Sequence, residues 1–187
     1  MITDVEGILV VLQPMGPIDP GLLRRVAARA QERLPIPSRF TVNIHPVQPP
    51  LDTFDWDRRQ YRADLVNSVL ASLYDEVLDG GVYVLGVVEG DGYVPGLNFV
   101  FGLTSRGLRV ASIYTARLRL PGGLLEERLT KLVLHELGHL LGLGHCRNPK
   151  CVMLFSNSLR ELDSKSDKFC GECALKLKKA YEDIARG

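Results

Sequence analysis

The chain of 187 residues has little net charge, no long apolar run, and only four cysteines and four histidines. Because its formal net charge is +1, composition provides no general attraction to nucleic acid or to an anionic membrane surface. No stretch approaches the roughly 18 uninterrupted apolar residues that a membrane-spanning helix needs. Apolar residues make up 45% and charged residues 24%, which is ordinary for a soluble globular protein.

The N-terminal stretch MITDVEGILVVLQPM lacks the features of a secretory signal. Its apolar run Ile8–Leu12 is short, and Asp4 and Glu6 stand where a basic region should be. We therefore expect a cytoplasmic protein, in which cysteines are metal ligands or free thiols more often than disulfides. The cysteines are also unevenly distributed, because none precedes position 146, and this clustering favours a metal site: Cys146, Cys151, Cys170 and Cys173.

Hydrophobic periodicity predicts an α/β or α+β protein with an N-terminal mixed sheet and flanking helices. Asp19 is the expected N-cap of the first helix. The short TSRG connection favours a hairpin between the last two strands. Phe40, Val42 and Ile44 should share one face of their strand. The predicted strands cover 5–13, 40–47, 82–88, 97–103 and 108–114, and the predicted helices cover 20–33 and 60–78.

A longer amphipathic helix is predicted over 124–142, after Pro121-Gly122-Gly123. Gly142 and Gly144 should end this helix, since glycine adopts left-handed backbone angles at low cost. A last helix is expected over 172–186. We predict one domain over 1–187, with an N-terminal sub-domain (1–144) and a small zinc-stabilised C-terminal lobe (145–187).

The segment HELGHLLGLGH carries the strongest chemical signal. His135 and His139 are four residues apart and therefore project from the same face of a helix, where two neutral imidazoles can bind one zinc ion. Glu136 lies beside a ligand and can accept a proton from zinc-activated water. A turn at Gly142 would return His145 to the metal as the third ligand. The fourth position then stays open, as in a catalytic zinc site.

A bare HExxH occurs by chance in many proteins and would not by itself establish a metal site. The extended HExxHxxGxxH is far more specific, because four residue types and a turn-forming glycine fit one geometry. His45, in contrast, should be a satisfied or solvent-facing strand histidine.

The four cysteines form a C-x4-C pair and a C-x2-C pair with 18 residues between them. This spacing suits a closed tetrahedral thiolate site for a structural zinc ion. Disulfides, free thiols and iron–sulfur ligation are the alternatives. Because Cys146 follows His145 directly, disrupting the thiolate site should also weaken metal binding at the histidines.

The segment HELGHLLGLGH resembles the metzincin clan of zinc metallopeptidases. The C-x4-C-x-M that follows and the later CxxC resemble the archaemetzincin family more narrowly, and YVPGLNFVFG (93–102) resembles its strand upstream of the zinc helix. The gap of sixteen residues between Met153 and the CxxC is one shorter than in the family pattern. The resemblance implies a zincin fold with the three histidines as zinc ligands, Glu136 as general base, Met153 beneath the metal in a Met-turn, and a second, structural zinc on the cysteines.

These motifs predict a zinc-dependent metallopeptidase that acts on peptides, with two zinc ions per chain. The alternative is a zinc-stabilised module that binds peptides or proteins with little turnover; Glu136 favours catalysis, since a binding module needs no carboxylate beside the metal. Leu97–Gly102 is a candidate substrate-binding edge strand, and Tyr93 and Tyr114 are candidate donors to a tetrahedral intermediate. We expect a monomer with no membrane partner and no nucleic-acid partner, because acidic residues intersperse the lysines of the last helix (Lys176, Lys178 and Lys179).

Overall fold

The computed structural model describes residues 7–78, 81–119 and 123–186. Its helices are α1 (Pro20–Arg33), α2 (Ala63–Leu73), α3 (Asp75–Leu78), α4 (Leu125–Leu140), α5 (Leu159–Ser164) and α6 (Gly171–Arg186), and short 3-10 turns cover 51–53, 106–108 and 116–119. Its strands are β1 (Ile8–Met15), β2 (Ser38–Val42), β3 (Phe54–Asp55), β4 (Gln60–Arg62), β5 (Val82–Val88), β6 (Gly92–Tyr93), β7 (Gly102–Ser105) and β8 (Val110–Tyr114).

The main sheet has five strands in the order β2-β1-β5-β8-β7. The first four are parallel, and β7 pairs antiparallel with β8 at one edge. Successive residues of β1 and β5 point to opposite faces, so each strand contributes to two apolar layers. Helices α1 and α4 cover one face and α2 covers the other, which confirms the predicted mixed sheet with flanking helices.

Helix α1 forms as its sequence predicts. The Asp19 side chain accepts hydrogen bonds from the backbone N–H groups of Gly21 and Leu22, and Pro20 occupies the first turn. Its apolar residues pack against the sheet and against α4, which lies beside it on the same face.

Two predicted strands differ from the observed ones. The strand predicted over 40–47 ends at Val42, because the Asn43 side chain accepts a hydrogen bond from the His45 backbone N–H and turns the chain. Ile44 is consequently 69% exposed rather than on the buried face with Phe40, and His45 is exposed, as expected.

The strand predicted over 97–103 begins only at Gly102. Before it, the carbonyls of Leu97 and Asn98 accept hydrogen bonds from the Arg58 side chain instead of from a neighbouring strand. The predicted pairing of this region with 108–114 is confirmed as the β7–β8 hairpin.

The helix predicted over 60–78 is divided. Residues 60–62 form β4, which pairs with β3 and β6 in a separate three-stranded sheet. Helix α2 then ends at Tyr74, whose hydroxyl is hydrogen-bonded to Gln13 and Asn43 in the polar end of the main sheet. Leu65, Leu73 and Val77, which the helical spacing over 60–78 places on its apolar face, are exposed. Gly80, of the Gly80-Gly81 pair expected to end this helix, and Pro121-Gly122, expected to precede the longer helix, lie outside the described residues.

After α4 the chain is irregular as far as residue 158, and then forms α5 and α6. Helix α5 was not predicted; Ser158 caps it by accepting a hydrogen bond from the Glu161 backbone N–H. Val152, Met153, Leu162 and Leu177 belong to the same apolar cluster as α1 and α4, so the C-terminal lobe packs on the sheet-and-helix core. Among the residues that the structure describes, no helix combines the length and apolar character that crossing a bilayer requires.

Candidate metal centres and cleft

Helix α4 positions the first two histidines and the glutamate. Glu126 and Glu127 lie in its first turn, where negative charge is favourable to the helix dipole. One turn of helix separates His135 from His139, and their rings meet edge-on with centroids 4.6 Å apart. His135 and Glu136 are buried, while His139 is half-buried at the cleft.

A turn after α4 brings the third histidine to the other two. Gly142 adopts a φ of 94°, a conformation that disfavours residues with a side chain. The Leu143 backbone N–H donates to the Gly138 carbonyl at 2.8 Å, which fixes the reversal. His145 is exposed, and one ring nitrogen from each of His135, His139 and His145 lies within 4.8 Å of the others. The structure thus brings the three predicted histidines together.

Backbone carbonyls orient two of these imidazoles. His135 Nδ1 lies 2.9 Å from the Val152 carbonyl oxygen, and His139 Nδ1 lies 2.8 Å from that of Leu143. A carbonyl only accepts, so each Nδ1 carries the proton and each Nε2 presents a lone pair. The two Nε2 atoms are 3.1 Å apart. Without a proton between them they repel, whereas two ligands of a tetrahedral zinc ion are about 3.3 Å apart.

The electrostatics of the site favour three neutral imidazoles around a metal cation over three protonated imidazoles. Burial lowers the pKa values of His135, His139 and His145, and so favours the neutral form that binds metal. The residues present therefore fit a zinc ion with three nitrogen ligands and one face open to the cleft.

Glu136 is held beside the histidines by the edge strand of the sheet. Its Oε2 accepts a hydrogen bond from the Thr104 hydroxyl at 2.7 Å. Burial raises the pKa of Glu136 to about 7, and the Thr104 hydrogen bond and the charge of Lys165 oppose that rise. Gly102 packs against the same carboxylate, since a Cβ added there would lie 2.5 Å from Glu136 Oε1.

Met153 lies beneath α4, fully buried, as the Met-turn interpretation expects. A Cβ added to Gly138 would overlap the Met153 sulfur, so the glycine of HELGH allows this close packing. The carbonyl of Val152 orients His135, and the Met153 carbonyl accepts from the Cys146 backbone N–H at 2.9 Å. The turn at 152–154 therefore contacts both clusters of candidate ligands.

The four cysteines also come together, with their sulfur atoms within 4.8 Å of one another and no disulfide bond. Cys151 and Cys173 are buried, and Cys146 and Cys170 are half-buried with their sulfurs 3.8 Å apart. A hydrogen bond from the Cys173 backbone N–H lowers the pKa of Cys170, while burial raises those of Cys151 and Cys173. Four sulfurs converging without a disulfide fit a closed thiolate site for zinc.

A cleft of about 690 Å³ lies over the histidines. Its upper wall is the segment 97–104, so the predicted Leu97–Gly102 lines the cleft, although the edge strand itself is β7. Phe99, Phe101 and Phe155 make much of the lining apolar. The two candidate tyrosines are not among the lining residues, because the Tyr93 hydroxyl donates to Asp55 and Tyr114 is buried beside Ser112.

Sequence reasoning missed several residues of the site. Gly138 carried a signal, because glycine inside a predicted helix often marks close packing. Thr104 and Gly102 carried none, since nothing local relates them to a glutamate more than 30 residues later. Lys165 was missed as well: it is 3% exposed, and burial lowers its pKa to about 8, while the charge of Glu136 raises it.

The sequence profile of peptidase family M54 matches residues 23–179. The archaemetzincin of Aeropyrum pernix is 49% identical over 174 residues, which cover 91% of this chain and 93% of that protein. A zinc-dependent peptidase from Methanocorpusculum labreanum has a TM-score of 0.80 at 32% identity, covering 90% of this chain and 99% of its own. The Methanopyrus kandleri archaemetzincin has a TM-score of 0.79 at 33% identity, covering 97% and 99%. With these matches, the resemblance read from the histidine and cysteine motifs is confirmed: this chain belongs to peptidase family M54.

Proposed function

We propose that this member of peptidase family M54 cleaves peptide bonds in the cleft over His135, His139 and His145, with these histidines as zinc ligands and Glu136 as general base. The zinc-metallopeptidase function itself is shown by the family match and the relatives. The observation that carries the residue assignment is the convergence of three imidazole nitrogens beside a buried carboxylate on one wall of a cleft.

When bound, zinc would polarise the scissile carbonyl and acidify water. The protein supplies the remaining chemistry. Glu136 accepts a proton from the attacking water and then passes it to the leaving amine. The Thr104 hydroxyl holds the carboxylate at 2.7 Å, so that its other oxygen, Oε1, can face the water. The segment 97–102 positions the peptide, and its apolar side chains exclude bulk water.

We propose a second zinc ion at Cys146, Cys151, Cys170 and Cys173, with a structural role. A site filled by four thiolates has no open position for substrate. The convergence of all four sulfurs in a lobe with few regular elements supports this assignment, because an ion can hold together a segment that has little regular secondary structure. Gly142 and Met153 support the sites without binding metal.

We further propose that the chain acts on peptides as a cytoplasmic monomer and does not bind nucleic acid. Four unbonded thiols support a reducing compartment. The Lys176 ammonium on α6 is paired with Glu172, so this helix face is not a free basic patch. Light scattering after size-exclusion chromatography tests the monomer, and a dimer mass would contradict it.

The experiment combines metal stoichiometry with a panel of short fluorogenic peptides, for the wild type and for Glu136→Ala. We expect two zinc ions in both proteins and a loss of turnover in the variant of about 10²–10⁴-fold. Glu32→Ala, which removes an exposed carboxylate from α1, is the matched control and should keep full activity.

Undiminished turnover in Glu136→Ala would contradict the general-base role. Two zinc ions with no turnover in the wild type would support the alternative, a peptide-binding or protein-binding module. One zinc ion held only by the cysteines would contradict a stably occupied histidine site, and zinc reconstitution followed by the same assay would then measure its activity.

A further inference from the structure

Lys165 is a buried ammonium that the proposed mechanism does not use. It follows α5, is 3% exposed, and lines the cleft over the histidines. Lysine is almost never fully buried unless its charge is paired, because an unpaired ammonium loses much of its solvation energy. The question is therefore whether the N–H groups of this ammonium have hydrogen-bond acceptors in the folded protein.

The hydrogen bonds of Lys165 are incomplete. Its Nζ donates to the Leu154 carbonyl at 2.8 Å. His135 Nδ1 lies 3.4 Å away, but this nitrogen donates its own proton to the Val152 carbonyl and so cannot accept. An ammonium has three N–H groups. Among the described residues, no other acceptor and no carboxylate within 4.0 Å is found for Lys165, which leaves two donors for a ligand.

Ser156 adds a second polar group to the same cleft. Its Oγ is buried and has no hydrogen-bond partner among the described residues. Ser156 lies between Phe155 and Asn157, and all three line the cleft together with Lys165. The cleft thus contains an ammonium and a hydroxyl whose hydrogen-bonding capacity is unfilled.

The charges around the cleft favour an anion at these two groups. Lys165 and Arg106 are its cationic lining residues, and Glu136 is its one carboxylate among the described residues. One oxygen of that carboxylate, Oε2, accepts a hydrogen bond from Thr104. A divalent cation on the three imidazoles would make the region still more positive.

We propose that Lys165 and Ser156 form a subsite for a carboxylate of the peptide substrate, an inference that rests on the proposed function and specifies its substrate class. The carboxylate is either the C-terminal group of the peptide or an aspartate or glutamate side chain. It accepts hydrogen bonds from the two free N–H groups of Lys165 and from the Ser156 hydroxyl. Such charge-assisted bonds give a carboxylate an advantage that a neutral amide of the same shape lacks.

The test uses peptides in matched pairs. One set has both ends blocked and carries Glu or Gln at successive positions; the other has a free or an amidated C-terminus. We would measure kcat/KM with the zinc-loaded wild type, Lys165→Met, Ser156→Ala and the control Lys168→Met, which removes an exposed lysine of the same segment. Calorimetric titration of the same peptides into Glu136→Gln, with and without Lys165→Met, measures binding independently of turnover.

We expect the wild type and Lys168→Met to prefer one carboxylate peptide over its neutral partner by about 10–100-fold. Lys165→Met should remove the preference, and Ser156→Ala should reduce it. A preference in the blocked set identifies an acidic side chain, and one in the other set identifies the C-terminus. The inference is overturned if the wild type shows no preference, if the preference survives Lys165→Met, or if that variant weakens both members of each pair equally, as a purely structural lysine would.

The wild-type and Ser156→Ala measurements keep the test decisive if Lys165→Met does not fold. Binding that favours carboxylates without any turnover would contradict the proposed peptidase mechanism and leave the subsite standing. Turnover without a preference for the carboxylate peptides would contradict the subsite and leave the proposed peptidase mechanism standing.

Discussion

The histidine cluster and the cysteine cluster are adjacent in the chain, at His145 and Cys146, but the protein supports them differently. Two of the three imidazoles are held by backbone carbonyls through the nitrogen that faces away from the other rings. Three of the four sulfurs are instead approached by backbone N–H groups: those of Asn148 and Cys170 lie 3.4 Å from the Cys146 and Cys151 sulfurs, and that of Cys173 donates to Cys170. Backbone groups therefore orient both clusters: carbonyls hold the imidazoles in the neutral form that binds metal, and N–H groups favour the charged thiolates.

The surroundings of the two clusters differ more than their hydrogen bonds do. His135 and His139 stand on a helix of 16 residues packed into the main core, and one side of their cluster opens to the cleft. Three of the cysteines lie in or border the irregular segment before α6. We infer that metal at the histidines serves chemistry with little effect on folding, while metal at the cysteines holds the lobe together.

Removing two thiolates should give the largest effect. In Cys170→Ser/Cys173→Ser, we expect the second zinc ion to be lost and the free energy of unfolding to fall by several kcal/mol, because binding a structural zinc contributes to folding. The histidine site should also bind zinc about 10–100-fold more weakly, since Cys146 and Met153 are joined by a backbone hydrogen bond. Chemical denaturation and competition with a zinc chelator measure the two effects.

The counterpart variant is His139→Ala, which should lose the other zinc ion and all turnover with a much smaller change in unfolding free energy. Equal destabilisation by the two variants would remove the distinction between the clusters. Unchanged zinc affinity at the histidines of the double cysteine variant would show that the clusters are independent.

Gly102→Ala should come next, with kcat lowered about 100-fold. The new methyl group would lie 2.5 Å from Glu136 Oε1 and displace the carboxylate. Both zinc ions should remain, because the change does not touch a candidate ligand. Gly107→Ala is the matched control, since a Cβ there meets no atom within 4 Å. Normal kcat in Gly102→Ala, measured with a fluorogenic peptide, would mean that Glu136 tolerates displacement.

Gly138→Ala should lower the free energy of unfolding by about 1–2 kcal/mol, because overpacking against Met153 exceeds the gain in helix propensity. Thermal and chemical denaturation measure this change. If the clash with Met153 is the cause, the cost should be smaller in a Met153→Ala background, and the two substitutions should not be additive. Additive changes in unfolding free energy would show that contact with Met153 is not the cause of the destabilisation.

Thr104→Val should have the smallest effect, a decrease in kcat of about 3–10-fold. The isosteric change removes the hydroxyl that donates to Glu136 Oε2 at 2.7 Å and leaves the packing of β7 nearly unchanged. Zinc content and stability should not change. A kcat equal to that of the wild type in the peptide assay would show that Gly102 and the cleft wall suffice to orient the carboxylate.

Sequence reasoning succeeded where the signal was local. The N-cap at Asp19 and the body of α4 depend on residues within a few positions, and both were predicted. It was wrong where a distant group competed with the local pattern. The strand expected over 97–103 starts late because Arg58 binds the Leu97 carbonyl, about 40 residues away along the chain.

The sequence by itself therefore determined the family, the membership of the two clusters and the convergence of the histidines, because a spacing of four on a helix and a glycine turn are set by local backbone geometry. Only the tertiary structure decided that the Val152 carbonyl orients His135, that the Thr104 hydroxyl holds Glu136, and that Lys165 is buried beside them. Those contacts join segments 17 to 32 residues apart in the chain. They exist only after the sheet, α4 and the C-terminal lobe have packed on a common core.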